Sequence, residues 1–567
     1  MKIALRVLWW LLLPLTGPAW LWARLDGLFL EFQMERAHSQ NQADLSSGLR
    51  FFSWCVLAGL IFAEETRNGC YQSALASRHE TTVYMLFFVH SFFAAGIIGS
   101  VCGGFLRWLS GPKTRRVSTH GSADFRTNFS GRFLAKGEPR HGSAVGHFPD
   151  GVADRKLENF VYVDQHVLTV ASTGSGKGTG CVIPQLLLSD ISTIVLDPKG
   201  ENFAITARAR RAKGHDIVCM DPYGVTGAAT TSLNPLLAID VESEHAVSDA
   251  QELAATLIVR GQESDSHWSD SAQRLLEMAI LCEAARGGDL VTVRDLLTEG
   301  EEAFDRELRR ISEQRGLAGG APARIARSHL ARDRREASGV LSTLHRHLAF
   351  LDDPILARSL QGSTFRFDVL RERPVDVFVA LPPHKMGVAS RWIRLVLGTA
   401  LARMSRTEPT RPVQFVIDEF PALGRFDAFE SAISMMRGYR VSFWFLVQDL
   451  SQLRGVYPRW ETFVSNSTVQ AFGIQSESDA ELFSKMSGET TVTAQSSGTS
   501  RGSTLSRSQG TSEVRRRLFT PDEVRRLDPA ECLVFEPGQR MAVLYRPTYY
   551  AVPELADMAD APRAFAR

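Results

Sequence analysis

The chain lacks a strong net charge, and this restricts how it can contact nucleic acid. Its 64 Lys and Arg residues are balanced by 63 Asp and Glu residues, which leaves a formal charge of +1. A protein that binds DNA over its whole surface needs an excess of positive charge. Any contact with nucleic acid must therefore be local, such as a loop or the lining of a pore.

Cysteine is also scarce and scattered. The seven cysteines form no Cys-x-x-Cys pair and no His/Cys cluster at zinc-site spacing. This pattern predicts that most of them are reduced and packed as small apolar groups. A length of 567 residues is too great for one simple core, so we expect two or three domains.

The first 110 residues differ in composition from the rest. Two apolar runs, residues 3–23 and 83–106, are each long enough to span a bilayer. A third run, 51–63, is shorter and is predicted to be interfacial or re-entrant. Basic residues before the first span and after the last one place both flanks in the cytoplasm. The alternative for the first run is a cleaved signal peptide, but no small-x-small cleavage site follows it.

Residues 167–179, VLTVASTGSGKGT, place a glycine-rich turn and a lysine after a short apolar strand and before a helical run. This order is typical of a phosphate-binding loop. Small residues let backbone N–H groups surround phosphate oxygens, and the helix N-terminus adds partial positive charge. Lys177 would reach the β- and γ-phosphates. The residues predicted to bind ATP are Thr173, Gly174, Ser175, Gly176, Lys177, Gly178 and Thr179.

The loop departs from the usual pattern at two positions. Ala171 stands where the first glycine belongs, and Gly178 replaces the Ser or Thr that holds Mg²⁺, with Thr179 one place late. A glycine-rich turn without a ligand is therefore the alternative. A second segment argues against that alternative, because an apolar strand ends in Asp418 and Glu419. Such an Asp holds Mg²⁺ and such a Glu activates water, which indicates a site for ATP and Mg²⁺.

Strand-like runs separated by helix-length segments predict an α/β fold with a parallel central sheet. The predicted strands are 160–163, 167–170, 192–196, 217–220, 376–380, 414–417, 441–447, 469–474, 533–535 and 541–545. Residues 246–350 show helical periodicity and no clear strand. The domains predicted from these changes are a transmembrane anchor at 1–110, a nucleotide-binding domain at 111–245 and 366–567, and an inserted all-α domain at 246–365.

Two segments have less specific patterns. Residues 490–512 are rich in Ser, Thr and Gly and are predicted to be a mobile loop. An arginine run in the helical region favours a solvated helix face over a DNA contact, because acidic residues lie nearby. Its members are Arg324, Arg327, Arg332, Arg334 and Arg335.

Several motifs occur in an order that resembles the TraG-like coupling proteins of type IV secretion and conjugation. They are ASTGSGKG at 171–178, DPKGE at 197–201, NP at 234–235, DEFP at 418–421 and VQDLSQL at 447–453. The resemblance implies a RecA-like P-loop ATPase domain in the cytoplasm, a multi-pass anchor in the bacterial inner membrane and a homo-hexameric ring. It also implies partners, namely a relaxase with single-stranded DNA or effector proteins, and the inner-membrane subunits of a secretion channel.

The resemblance extends to individual residues. Gln448 matches a glutamine that senses the γ-phosphate, and Arg437 matches an arginine finger that acts on a neighbour's ATP, with Arg440 as the alternative. Asp418 is the expected Mg²⁺ ligand, and Thr179 or a water replaces the missing hydroxyl. Two other functions remain open at this point: an FtsK-type translocase, and a receptor with a degenerate nucleotide site. The sequence does not distinguish DNA cargo from protein cargo.

Overall fold

The computed structural model describes residues 122–126, 142–147, 157, 160–258, 266–362, 365–501 and 505–561. The chain divides into two units, Met1–Val117 and Ser118–Arg567, and all described residues belong to the second. The predicted spans 3–23 and 83–106 and the run 51–63 lie outside the described residues. Within the described ranges, every helix is too short or too polar to cross a membrane.

The described strands form one large sheet and one separate hairpin. The strands are β1 (Ser143–His147), β2 (Phe160–Val163), β3 (His166–Ala171), β4 (Ser192–Leu196), β5 (Asp216–Met220), β6 (Val375–Val379), β7 (Val413–Ile417), β8 (Val441–Val447), β9 (Ser467–Phe472), β10 (Glu489–Arg501), β11 (Leu505–Arg517), β12 (Glu531–Phe535) and β13 (Ala542–Tyr545). Each predicted strand is present, with ends displaced by at most a few residues.

The large sheet has 11 strands in the order β2-β1-β13-β12-β9-β3-β8-β7-β4-β6-β5. From β9 to β5 neighbouring strands are parallel, whereas β12, β13, β1 and β2 extend the sheet in antiparallel fashion. Strand β3 lies between β8 and β9, and its residues are buried on both faces. Burial on both faces explains the continuous apolar runs, which are typical of parallel sheets covered by helices. The predicted α/β class is confirmed.

Helices cover the sheet and fill the long connection between β5 and β6. They are α1 (Ile183–Leu188), α2 (Glu201–Ala212), α3 (Ala246–Leu257), α4 (Ser266–Ala285), α5 (Leu290–Thr298), α6 (Glu301–Glu313), α7 (Ala321–Leu330), α8 (Arg334–Leu348), α9 (Pro354–Ser359), α10 (Val369–Glu372), α11 (Ser390–Arg406), α12 (Asp427–Met435), α13 (Leu450–Val456), α14 (Glu461–Ser465), α15 (Glu477–Ser487), α16 (Pro521–Arg525) and α17 (Pro553–Met558). The described part of 246–350 contains helices and turns without a strand, as its periodicity predicts. One hydrophobic cluster continues from the sheet into these helices, through Leu168, Leu276 and Leu344.

The arginine run of the helical region largely contacts the protein itself. Arg332 lies 3.5 Å from Glu336, and Arg334 lies 2.7 Å from Glu301. Arg324 donates to the carbonyl oxygen of Gly319 at 2.8 Å. These partners agree with a solvated helix face.

The predicted mobile loop at 490–512 is wrong. Strands β10 and β11, each of 13 residues, pair in unbroken antiparallel register from Glu489↔Arg517 to Arg501↔Leu505. The low-complexity composition concealed the strand preference of β-branched residues such as Thr491 and Val492, which lie opposite Arg515 and Val514. Regular pairing satisfies the backbone groups that a loop would leave to water.

Candidate functional site

The site lies at the carboxyl edge of the parallel strands. The predicted phosphate-binding loop, residues 173–179 (the P-loop), follows β3. The Asp418–Glu419 pair follows β7, and Gln448 follows β8. Because β3, β8 and β7 are parallel neighbours, their carboxyl ends meet at one edge of the sheet. Parallel pairing thus brings together groups that are separated by more than 200 residues along the chain.

The P-loop is a tight turn whose glycines adopt left-handed backbone angles. Gly174 has φ +78° and Gly176 has φ +84°, which a residue with a Cβ adopts only at a cost. The hydroxyl of Ser175 donates to the carbonyl oxygen of Ser172 at 2.6 Å and closes the turn. A π-helical turn, Gly178–Val182, then leads directly into α1. The turn therefore exposes backbone amides at the start of a helix, which suits an anion.

Lys177 and Thr179 both contact the loop that contains them. Lys177 Nζ donates to the carbonyl oxygens of Ala171 at 2.8 Å and Ser172 at 3.4 Å, so the ammonium group lies over the end of β3. Thr179 Oγ1 donates to the carbonyl oxygen of Gly176 at 3.4 Å. Gly178 has no side chain to offer a metal. The first hydroxyl after the lysine therefore belongs to Thr179, one residue later than the usual pattern has it.

The carboxylate pair has two different environments. Asp418 is held by the backbone N–H of Glu419, which donates to its Oδ1 at 2.9 Å. Burial, reinforced by the charge of Glu419, raises the pKa of Asp418 to about 6, although Lys177 and Lys199 oppose the shift. Glu419 has φ +52°, an uncommon angle for a residue with a side chain. Its carboxylate accepts two bonds from Gln448 Nε2, at 2.9 and 3.2 Å.

The sequence analysis gives Asp197 no role in the site, although the residue opens the DPKGE motif at 197–201. The structure places this carboxyl group beside Asp418, because β4 and β7 are parallel neighbours. Asp197 is buried, and it accepts bonds from the Phe203 N–H at 2.8 Å and from Asn202 Nδ2 at 3.3 Å. Burial, with a smaller effect of Asp418, raises its pKa to about 7. The signal that could have found it is an Asp at a strand end next to the Asp418 strand.

Arg437 and Arg440 lie at the opposite edge of the sheet from the P-loop. Both precede β8, whereas Gln448 follows it, and a strand of 7 residues spans roughly 20 Å. Arg440 donates to the carbonyl oxygen of Thr410 at 2.9 Å. The exposed Arg437 side chain has no hydrogen-bond or ion-pair partner among the residues that the structure describes. The structure therefore brings neither arginine to the P-loop of its own chain.

This fold is of the RecA-like α/β class, with a glycine-rich turn and a carboxylate pair at the carboxyl edge of its sheet. A family model described as "Type IV secretory system Conjugative DNA transfer" matches residues 131–566. The chain therefore belongs to that family, and its resemblance to TraG-like coupling proteins is confirmed.

Curated relatives support the same assignment. The conjugal transfer protein TraG of Escherichia coli is 32% identical over 422 residues, which cover 68% of this chain and 66% of that protein. Protein VirD4 of Rhizobium radiobacter is 30% identical over 407 residues, which cover 68% of this chain and 57% of that protein. The match thus spans about two thirds of the length of these relatives or less.

A solved structure shares the fold. The plasmid coupling protein TrwB in complex with ADP and Mg²⁺ superposes with a TM-score of 0.54 at 17% identity, over 76% of this chain and 96% of that one. At this identity the likeness shows the fold. It confirms a RecA-like sheet as the framework of the site.

Proposed function

We propose that this chain is the ATP-hydrolysing coupling protein of a type IV secretion system. One observation carries the proposal: the P-loop, Asp418, Glu419 and Gln448 meet at one edge of the sheet in a chain of the conjugative DNA-transfer family. The protein recruits a relaxase with single-stranded DNA, or an effector protein, and uses ATP to drive it to the secretion channel. An FtsK-type translocase and a non-hydrolysing receptor are less favoured, because the relatives are named conjugal transfer and VirD4 proteins.

The residues at the carboxyl edge fit Mg²⁺ and a nucleotide. The turn at 173–179 supplies backbone amides and the Lys177 ammonium group for phosphate oxygens. Asp418 fits a cation, because burial beside Glu419 leaves its negative charge poorly compensated and raises its pKa to about 6. Thr179 is the proposed second ligand. Bound Mg²⁺ would neutralise charge on the phosphates during transfer to water.

Glu419 is the proposed general base, and Gln448 positions it. A base must lie within hydrogen-bond reach of the proton that it takes, and its orientation must be fixed. The two bonds from Gln448 Nε2 fix the Glu419 carboxylate from the neighbouring strand. A glutamine that contacts both the base and a γ-phosphate would report the nucleotide state to the catalytic carboxylate.

Arg437 is proposed to act in trans, on ATP bound to a neighbouring subunit of a hexamer. Its position at the far edge of the sheet supports a role outside the site of its own chain. Its exposed side chain is available to another subunit, whereas Arg440 already bonds to Thr410. An arginine there would stabilise negative charge in the transition state.

Residues 1–110 are proposed to anchor the protein in the bacterial inner membrane, with the ATPase domain in the cytoplasm. The support is the pair of apolar runs at 3–23 and 83–106 and the basic residues beside them. Anchored subunits share one plane, and their high local concentration favours a ring.

The decisive experiment measures ATP turnover by the purified full-length chain, with and without single-stranded DNA, together with nucleotide affinity. Turnover stimulated by DNA is the expected result. Nucleotide binding without turnover under both conditions would instead indicate the receptor function. A relaxase gene beside this one would favour DNA cargo, whereas effector genes without a relaxase would favour protein cargo.

A further inference from the structure

Arg546 reaches the P-loop from the antiparallel part of the sheet. It directly follows β13, far from the loop in sequence, and the residue is only 5% exposed. Its Nη1 donates to the carbonyl oxygen of Gly176 at 3.0 Å, and its Nη2 donates to that of Ser175 at 2.9 Å. The guanidinium carbon lies 3.9 Å from the centre of the Phe472 ring, at the end of β9.

This buried cation has no acidic partner among the residues that the structure describes. Besides the two loop carbonyls it bonds to the carbonyl oxygen of Pro529 at 2.8 Å, and its Nε has no hydrogen-bond partner. A buried charge without a counter-ion is costly. Its charge therefore remains available to act on an anion at the P-loop.

The two carbonyl contacts also determine how the loop is oriented. In a trans peptide the C=O and the N–H groups point in opposite directions. The carbonyls of Ser175 and Gly176 belong to the same peptides as the N–H groups of Gly176 and Lys177. Because Arg546 holds both carbonyls on its side, it directs both amides to the opposite side of the loop.

Gly180 provides the space for this contact. A Cβ at Gly180 would overlap Arg546 Nη1 and would lie 3.2 Å from its Cγ. A glycine is thus required at position 180 because the Arg546 side chain lies against it, and not because of its backbone angle. A methyl group at this position should displace the guanidinium group without altering any other residue of the loop.

We propose that Arg546 is a positioning residue for nucleotide phosphates, which aligns the P-loop amides and adds positive charge behind them. The proposal deepens the nucleotide-binding function and rests on it. It also links nucleotide binding to the antiparallel strands β12 and β13, since Arg546 is anchored there. Nothing in the P-loop motif itself indicates this arginine.

The test measures the Kd of a fluorescent ATP analogue with Mg²⁺ for the full-length chain. Arg546→Met should weaken binding by about tenfold or more, because two charge-assisted bonds and one charge are lost. It should raise KM for ATP more than it lowers kcat, since Glu419 is unchanged, and Arg546→Lys should recover part of the affinity. An unchanged Kd would overturn the proposal. Failure of the wild-type chain to bind the analogue would instead refute the nucleotide-binding function.

Arg371→Met is the matched control. Arg371 is also 5% exposed and donates to backbone carbonyls, those of Met404, Arg411 and Tyr439, but it lies at the other edge of the sheet. Its loss should lower stability and leave the Kd unchanged. An equal loss of affinity in this control would show that Arg546 acts only through stability, and would overturn the proposal.

Gly180→Ala provides an independent variant. It should weaken nucleotide binding on its own, and it should cause no further loss in the Arg546→Met background, because both changes remove the same contact. Fully additive losses would contradict the proposal. If Arg546→Met does not fold, Gly180→Ala alone decides, and an unchanged Kd would overturn the inference.

Discussion

The carboxyl edge and the amino edge of the parallel sheet carry different ionisable groups. The carboxyl edge gathers Lys177, Asp418, Glu419 and Asp197, and burial raises the pKa of both aspartates. The amino edge instead carries the exposed Arg437 and the buried His166, whose pKa burial lowers to about 4. On the proposed function, one subunit would hold the phosphates and the base at the carboxyl edge and would offer Arg437 to a neighbour from the amino edge.

Lys177→Ala should have the largest effect, because it removes the cation that is proposed to meet the β- and γ-phosphates. ATP turnover and substrate transfer should fall to background, while the fold is retained. The measurements are phosphate release and a transfer assay. Lys485→Ala, which removes an exposed lysine from α15, is the control. Wild-type transfer by Lys177→Ala would refute the assignment of the P-loop.

Glu419→Gln should separate binding from hydrolysis at the carboxyl edge. The variant should bind Mg²⁺–ATP but hydrolyse it about 10³-fold more slowly, because an amide cannot take a proton from water. Asp418→Asn should instead weaken the binding of Mg²⁺–ATP, which titration with Mg²⁺ measures. Normal hydrolysis by both variants would mean that the carboxylate pair has no catalytic role.

Arg437→Ala tests the amino edge directly. Hydrolysis in the assembled oligomer should fall by about 100-fold, since one charged transition-state contact is lost. Nucleotide binding by the isolated subunit should not change, because the arginine is remote from its own site. Arg440→Ala is the comparison variant, with hydrolysis expected near the wild-type rate. Slow hydrolysis by Arg440→Ala with normal hydrolysis by Arg437→Ala would instead identify Arg440 as the arginine finger.

The smallest expected effect is a pH-dependent change in folding stability caused by His166 at the amino edge. His166 Nδ1 accepts a bond from the Phe443 N–H at 3.0 Å, and the folded chain keeps the ring neutral down to a pKa of about 4. The unfolded chain binds a proton below about pH 6.5, so this histidine lowers stability progressively between pH 6.5 and 4, by about 3 kcal/mol at most.

His166→Asn isolates that contribution, because the amide oxygen can replace Nδ1 as the acceptor. Thermal unfolding of both proteins from pH 8 to 4 gives the difference between them. Asp418 and Asp197 have the opposite effect on stability, because their raised pKa values favour the folded state as the pH falls. Both proteins contain these aspartates, so their effect cancels in the difference. Parallel curves for wild type and variant would show that His166 is not the titrating group.

Local patterns explain which parts of this chain were predictable. A strand buried on both faces is a continuous apolar run, so β3, β7 and β8 could be read from the sequence. The P-loop could be read because its turn requires glycines at fixed positions, such as Gly174 and Gly176. The hairpin at 489–517 could not be predicted, because its backbone pairing forms between two segments that each have the composition of a loop.

The sequence by itself determined the α/β class, the phosphate loop and the carboxylate pair, because each depends on neighbouring residues. Only the tertiary structure decided where the distant groups lie relative to them. Parallel pairing of β4 and β7 brings Asp197 to Asp418, the direction of β8 sets Arg437 at the far edge, and the antiparallel extension delivers Arg546 to the P-loop. Strand order and direction follow from the packing of the whole sheet, which no local pattern encodes.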